Sequence, residues 1–260
     1  MESSSQQLNR QGNAYFSRGD YANAYRHYAQ ALNVDREHGD SRALAMTLGN
    51  LGNICAVSDR RPEAKRYYQE VLDLQRNLGD DRGISITLVN LGNLCADGEE
   101  WERAKAHYFE ALDLMDRIGD VTSKAMVYLD LGYVAKETYQ LDEAIEHCKQ
   151  SVTLAKRMGQ DTTMADAFRM TARAYLKGQR YDDAIDVCQT GLAIAQRLKD
   201  ELRMASAWYL MAEGYERQGK LQKAADLLER VVRIDEKYDL PKLEANRARL
   251  QKLRGISLSD

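Results

Sequence analysis

The residues best suited to binding chemistry are three asparagines spaced at intervals of forty residues, Asn13, Asn53 and Asn93. Each carboxamide offers both a donor and an acceptor, so it can pair with the backbone of an extended peptide whatever the peptide's side chains are. Asparagine is a mediocre helix former, so its recurrence favours binding over mere tolerance on a wet helix surface. The spacing therefore predicts a ladder of amides, one in each of three structural units.

A second candidate site is a basic row formed by Arg169, Arg173 and Lys177, which lie four residues apart. On a helix this spacing places the side chains on one face, where like charges repel by about 0.2–0.5 kcal/mol per pair. Acidic side chains or a carboxylate terminus would relieve that repulsion through charge-assisted hydrogen bonds. The alternative is a solvated face that nearby carboxylates neutralise: Asp166, Glu137 or Glu213. The sequence leaves both interpretations open.

Both candidates must be positioned by a repeated element, and alanine marks it by recurring every forty residues: Ala24, Ala64, Ala104, Ala144, Ala184 and Ala224. A strict interval of this kind indicates a stacked repeat array, in which only a small side chain lets neighbouring backbones approach. Each unit also has a second small residue, glycine or alanine, flanked by apolar residues four before and three after it. These spacings are helical, so each unit is predicted to be a helical hairpin.

The turns predict six hairpins within residues 1–240: residues 5–39, 40–79, 80–119, 120–159, 160–199 and 200–238. Gly-Asp pairs at 39–40, 79–80 and 119–120 suit a left-handed residue after one helix and the N-cap of the next. The junction Lys199-Asp200 lacks the glycine, which predicts a continuous or differently angled turn there. Residues 241–254 are predicted to form a capping helix with Leu243, Leu250 and Leu253 on its apolar side. A tail of residues 255–260 follows.

The pattern within a unit resembles the tetratricopeptide repeat, through Gly12, Tyr15, Gly19, Tyr21, Ala24, Tyr28 and Ala31 and, in the third unit, Gly92, Trp101, Ala104, Tyr108 and Ala111. The resemblance covers about residues 5–238. Its period of forty exceeds the usual thirty-four, and the Leu-Gly-Asn sequences at 51–53 and 91–93 are similar to those of Partner-of-Inscuteable adaptors and kinesin light chains. The resemblance implies an all-α, right-handed superhelical solenoid whose first helices line a concave, peptide-binding groove.

The resemblance also places residues in that groove, one position after the small residue and four positions to either side. These positions include the three asparagines and the basic row. They also include Tyr133 and Tyr209, whose sites lack the aromatic core pattern and which are therefore predicted to contact a ligand. Lys136 accompanies the basic row on the preceding first helix. We expect replacement of Asn53 and Asn93 by alanine to weaken binding without lowering thermal stability.

The composition argues against several other classes of function. A net charge of −3, from 37 basic and 40 acidic residues, is unlike a nucleic-acid scaffold. No apolar stretch is long enough for membrane insertion, and the N-terminus lacks a secretory pattern, so a cytoplasmic location is expected. Phosphate-cradling loops, nucleophile elbows and zinc-type cysteine spacings are absent. We therefore predict no enzyme activity, no catalytic residues, no metal site and no cofactor.

The resulting interpretation is a protein–protein interaction adaptor. Its partner would be a protein or peptide, acidic or with a free C-terminus. Two alternatives remain open: a self-assembling scaffold, in which the chain forms a homo-oligomer, and a peptide-gated regulator of a partner enzyme.

Overall fold

The structure is a computed structural model that describes residues 4–257, and every regular element in that range is an α-helix. The helices are α1 (Ser4–Phe16), α2 (Tyr21–His38), α3 (Ser41–Val57), α4 (Arg61–Leu78), α5 (Asp81–Asp97), α6 (Trp101–Ile118), α7 (Val121–Glu137), α8 (Leu141–Arg157), α9 (Asp161–Lys177), α10 (Tyr181–Arg197), α11 (Glu201–Arg217), α12 (Leu221–Tyr238) and α13 (Leu243–Ser257). The all-α fold class predicted from the sequence is confirmed.

The helices pack as hairpins, because each odd-numbered helix from α1 to α11 makes its most extensive contact with the even-numbered helix that follows it. The alanine series lies at the centre of this packing, and its six members are 0–1% exposed. Pro62 stands in the first turn of α4, where a missing backbone N–H costs no helical hydrogen bond. The hairpins thus follow directly from the helical spacing of the small and apolar residues.

The chain reverses direction at a left-handed residue every twenty positions. Six of these residues are glycines and six are not: Gly19, Gly39, Gly79, Gly119, Gly159, Gly219, Asp59, Glu99, Tyr139, Gln179, Lys199 and Asp239. The different turn expected at Lys199 is therefore wrong, since Lys199 has φ 55° and Asp200 caps α11 by accepting from Arg203 N at 2.9 Å. The packing of the two flanking helices holds this residue left-handed at a cost of about 1–2 kcal/mol.

The chain divides into two compact units. One unit, Met1–Asp120, contains α1 to α6, and the other, Val121–Asp260, contains α7 to α13. The two units differ in which side chain of the second helix packs against the small residue of the first helix. In the first unit it is a tyrosine ring, 2.4–2.5 Å from where a Cβ on Gly12, Gly52 or Gly92 would lie. In the second unit Gly132 faces the Cys148 thiol instead.

The last helix covers the end of the second unit. Leu250 and Leu253 of α13 are buried against α12, and Leu243 is partly buried there. The helix continues to Ser257, the last residue that the structure describes, and so runs past the predicted end at residue 254. Gly255 does not stop the helix, because a glycine in a helix costs only about 1 kcal/mol. The remainder of the predicted tail, residues 258–260, lies outside the described residues.

Candidate functional site

The asparagine ladder lies in the first unit, on α1, α3 and α5, and each of its amides has a partner within its own hairpin. Tyr28 Oη donates to Asn13 Oδ1 at 2.6 Å, Tyr68 Oη to Asn53 Oδ1 at 2.8 Å, and Tyr108 Oη to Asn93 Oδ1 at 2.6 Å. The glycine before each asparagine lets the ring lie flat on the first helix, which brings the hydroxyl to the amide. The three acceptor oxygens therefore serve the fold, whereas the three Nδ2 atoms form no hydrogen bond among the described residues.

The pairing of asparagine with tyrosine has a signal in the sequence. Asparagine follows the small residue only in the three units whose second helix carries a tyrosine fifteen positions later. In the other units the position holds Tyr133, Arg173 or Glu213, and the second helix carries cysteine or leucine. The first helices alone do not contain this signal. It is visible only when each first helix is compared with the second helix of the same repeat.

Between α3 and α5 the ladder borders an open recess of about 390 Å³. Its polar lining includes the amides of Asn50, Asn53 and Asn90, and its apolar rim includes Met46 and Ile86, which are 48% and 51% exposed. A Cβ built on Gly49 would have no atom within 4 Å, so this part of the wall is empty. Met46 and Ile86 escaped the sequence prediction, although apolar residues forty positions apart on a wet helix face would have indicated them.

The basic row lies in the second unit, and most of its charges are engaged. The Arg169 guanidinium is 3.6 Å from Asp166 Oδ1. Lys177 Nζ donates to the Lys136 carbonyl oxygen at 2.9 Å and lies 3.6 Å from Glu137 Oε2. Lys136 is buried and also pairs with Glu137. For these three cations the structure supports the neutralised face that the sequence left as an alternative.

Arg173 differs from its neighbours in the row. Its side chain is exposed and forms no ion pair among the described residues. Protein atoms that displace water around the guanidinium lower the pKa of Arg173, and the nearby Arg169 charge lowers it further. Glu213 and Glu137 oppose that effect at longer range. Arg173 is therefore the member of the row whose charge is most available to an anion.

Of the two tyrosines predicted to contact a ligand, Tyr209 lines the same recesses as Arg173. Tyr133 lines neither of them. Two recesses, of about 350 and 450 Å³, meet at Arg173, Tyr209 and Leu210. Tyr209 is partly buried, and the Arg249 guanidinium lies 4.9 Å from its ring centroid. Tyr133, on α7, is 37% exposed and has the Lys136 ammonium 5.0 Å from its ring centroid. The structure thus brings Arg173 and Tyr209 together as one candidate surface.

The described residues contain no group of three or more His, Cys, Asp or Glu side chains arranged to hold a metal ion. Within the same part of the chain, no helix combines the length and the apolar character that a bilayer crossing needs. The four cysteines are free thiols. Burial raises the pKa of Cys148 to about 11 and that of Cys188 to about 12, so both remain protonated near neutral pH.

The family model described as tetratricopeptide repeat matches residues 5–77, 44–117 and 163–237. The chain belongs to the tetratricopeptide-repeat family. The hairpins within the matched residues are accordingly tetratricopeptide repeats, a unit typical of protein-interaction adaptors. A search of curated proteins finds no significant match.

Solved structures show the same tetratricopeptide-repeat fold at low sequence identity. A signal transduction ATPase from Pyrococcus horikoshii with a tetratricopeptide repeat sensor superposes with a TM-score of 0.84 at 15% identity, over 97% of this chain and 39% of that one. This chain thus spans well under half of that protein. A Rap protein complexed with competence and sporulation factor gives 0.68 at 16% identity, over 96% and 75%. A putative kinesin light chain from Podospora anserina gives 0.65 at 18%, over 76% and 97%.

Proposed function

We propose that this tetratricopeptide-repeat protein is an adaptor that binds an extended peptide or partner segment on its first helices. The observation that carries the proposal is the open recess between α3 and α5. Its wall combines amide groups with exposed aliphatic side chains, and a segment of unfolded chain presents the complementary groups, backbone amides and apolar side chains, in alternation. The repeat family and the Rap structure, which holds a bound factor, support the same function.

The ladder would hold the segment through its donors. Because tyrosine hydroxyls occupy the Oδ1 atoms of Asn13, Asn53 and Asn93, each asparagine would give its Nδ2 hydrogens to a backbone carbonyl of the partner. Asn50 and Asn90 add amides to the same wall. Met46 and Ile86 would cover an apolar side chain of the partner from either side, which removes their exposed area from water.

In the second unit the partner would be acidic. Arg173 is exposed and forms no ion pair within the part of the chain that the structure describes. Charge-assisted hydrogen bonds to a partner's carboxylate are among the strongest available. Arg169, Lys177, Lys136, Tyr133 and Tyr209 would contribute to this surface mainly by shape and by long-range charge. The three cations are already paired with carboxylates of the fold, and each of the two tyrosine rings already faces a cation.

Filling the recess tests the proposal. Gly49→Leu places a side chain in its empty wall, and exchanging glycine for leucine inside a helix favours the helix by about 0.8 kcal/mol. The matched control is Ala106→Leu, which adds the same side chain to an exposed position of α6 outside the recess. Peptides selected from a random display library by the unaltered chain would be titrated against all three proteins by calorimetry.

We expect affinity to fall by more than about tenfold in Gly49→Leu and to stay unchanged in Ala106→Leu, since tenfold corresponds to about 1.4 kcal/mol of lost contact. Equal affinity for all three proteins would remove the recess from the interface and with it the main support for the proposal. Light scattering on the same samples would show whether the chain associates with itself. Self-association abolished by Gly49→Leu would favour the scaffold alternative instead.

A further inference from the structure

We propose that the recess enclosed by α11, α12 and the start of α13 is an anchor site for an amphiphilic carboxylate, in which one large apolar side chain lies next to an anionic group. The inference rests on the proposed role of Arg173 and is independent of the recess between α3 and α5. It assigns a binding role to the turn between α12 and α13, which the sequence connects only with a capping helix.

The interior of this recess is mainly apolar. Its volume is about 350 Å³, and Leu202, Leu210 and Val231 contribute aliphatic surface on different sides. Leu210 and Val231 belong to the buried core, whereas Leu202 is 50% exposed at the edge. Leu240 and Pro241, from the turn before α13, close one end. A cavity with an apolar interior of this kind gains free energy by taking an apolar side chain out of water.

Two cations without ion-pair partners stand at the same recess. Arg173 is one, and Lys242 is the other, with its ammonium 5.9 Å from the Tyr209 ring centroid. Neither forms an ion pair among the described residues. Arg249 also faces the Tyr209 ring, but its guanidinium is bonded to Glu216 at 2.6 Å and is neutralised there. The positive charge available to a ligand therefore comes from the two side chains supplied by α9 and by the turn before α13.

The negative groups of the recess decide where an anion would lie. Asp235 is 4% exposed in the wall, and its Oδ2 accepts from Asn246 Nδ2 at 2.7 Å. Its charge disfavours an anion in the interior. Glu213 does not line this recess but lines the polar recess on the other side of Arg173. An apolar group would thus enter the interior while the carboxylate stays at the mouth between Arg173 and Lys242.

Three small probes separate the contributions of charge and apolar surface. N-acetyl-L-leucine carries both, N-acetyl-L-leucinamide carries only the side chain, and acetate carries only the charge. Each would be titrated into the full chain, with binding followed by amide chemical shifts in NMR spectra. We expect N-acetyl-L-leucine to shift the signals of Ser206, Tyr209, Lys242 and Asn246, and the other two probes to bind more weakly by about tenfold or more, because each lacks one of the two contacts.

Two variants and one control locate the site. Arg173→Met keeps the apolar stem and removes the charge. We expect it to lower the affinity for N-acetyl-L-leucine by about tenfold. Ser206→Leu fills part of the recess from a half-buried position of α11 and should abolish binding. The control Arg217→Met removes a cation that lines only the neighbouring polar recess, so affinity should not change.

Equal affinity for acid and amide, retention of binding in Ser206→Leu, or shifts confined to other helices would each overturn the anchor site. An acidic peptide without apolar residues, Ac-Asp-Glu-Asp-Glu-NH2, separates this failure from that of the Arg173 proposal. If the peptide binds through Arg173 and ignores Ser206→Leu while N-acetyl-L-leucine does not bind, the acidic surface stands and the anchor site is rejected. If neither ligand binds, both are rejected.

Discussion

The bond between Asn53 and Tyr68 allows the structural role of the amide ladder to be measured. Asn53→Ala removes the acceptor of a hydroxyl whose side chain is 3% exposed and whose Oη–Oδ1 distance is 2.8 Å. An unpaired buried hydroxyl costs about 1–3 kcal/mol. The low end applies here, because Tyr68 and Asn53 both line an open recess, through which water has access to the broken bond. Alanine also favours the helix by roughly 0.5 kcal/mol.

We therefore expect Asn53→Ala to lower the free energy of unfolding by about 0.5–1.5 kcal/mol, or a few degrees in Tm. This replaces the expectation, from sequence alone, that alanine at the ladder leaves thermal stability unchanged. A double-mutant cycle with Tyr68→Phe isolates the bond itself, with an expected coupling energy of about 1 kcal/mol. Urea denaturation would be followed by circular dichroism and by fluorescence, whose transitions must coincide for the two-state values to hold.

The pair Asn53→Ala and Tyr108→Phe provides the control. These residues belong to different hairpins of the same unit and share no hydrogen bond, since Tyr108 donates to Asn93. Their effects should add within about 0.3–0.5 kcal/mol. A coupling energy near zero for Asn53 and Tyr68 would refute a structural ladder and return the whole amide to the ligand.

Three further perturbations test the packing, the electrostatics and the turns. Gly52→Ala would place a Cβ 2.5 Å from a buried tyrosine ring and should lower the free energy of unfolding by about 1–3 kcal/mol. Gly49→Ala, whose Cβ would have no atom within 4 Å, should instead raise it by about 0.5–1 kcal/mol. Similar unfolding curves for the two variants would contradict this account. Burial raises the pKa of Asp130 to about 7 from an unfolded value of about 4, so the stability due to its protonated form is present below pH 4 and is lost as the pH rises to 7. Asp130→Asn should therefore raise the Tm relative to the unaltered chain more at pH 8 than at pH 5, and an equal difference at both values would exclude the shift. Lys199→Gly should stabilise the fold by about 0.5–1 kcal/mol, because it relieves a left-handed backbone at φ 55°. Leu198→Gly, one residue earlier at φ −75°, should destabilise the fold. Calorimetric Tm values of the opposite order would show that the turn is not strained.

The two units differ in chemistry as well as in packing. In the first, tyrosine hydroxyls and asparagine amides join the two helices of each hairpin, and amides and apolar side chains make up most of the lining of the recess between α3 and α5. In the second, cysteine or leucine replaces the tyrosine that would bond to an asparagine. The asparagine position of the first helix then carries Arg173 or Glu213. One sequence period thus supports, on the same type of hairpin, a recess lined mainly by amides and apolar side chains and a recess bordered by the Arg173 guanidinium.

Most of the fold could be read from the sequence, because a repeat demands the same small residue wherever two backbones meet. Ala24 and its five equivalents predicted six hairpins, and Leu250 and Leu253 predicted the apolar side of the last helix. The turn at Lys199 could not be predicted, since the local preference for glycine is worth only about 1–2 kcal/mol and the packing of long helices outweighs it.

The sequence by itself determined the family and the helical period, because these depend on residue type and spacing alone. Only the tertiary structure decided which outward residues are available to a ligand. Asn53 Oδ1 accepts from Tyr68, Arg169 pairs with Asp166 and Lys177 pairs with Glu137. Arg173, by contrast, forms no ion pair among the described residues. Asn53 and Tyr68, like Lys177 and Glu137, lie on different helices, and the packing of those helices decides whether the two groups come within bonding distance. Spacing along one helix does not contain that information.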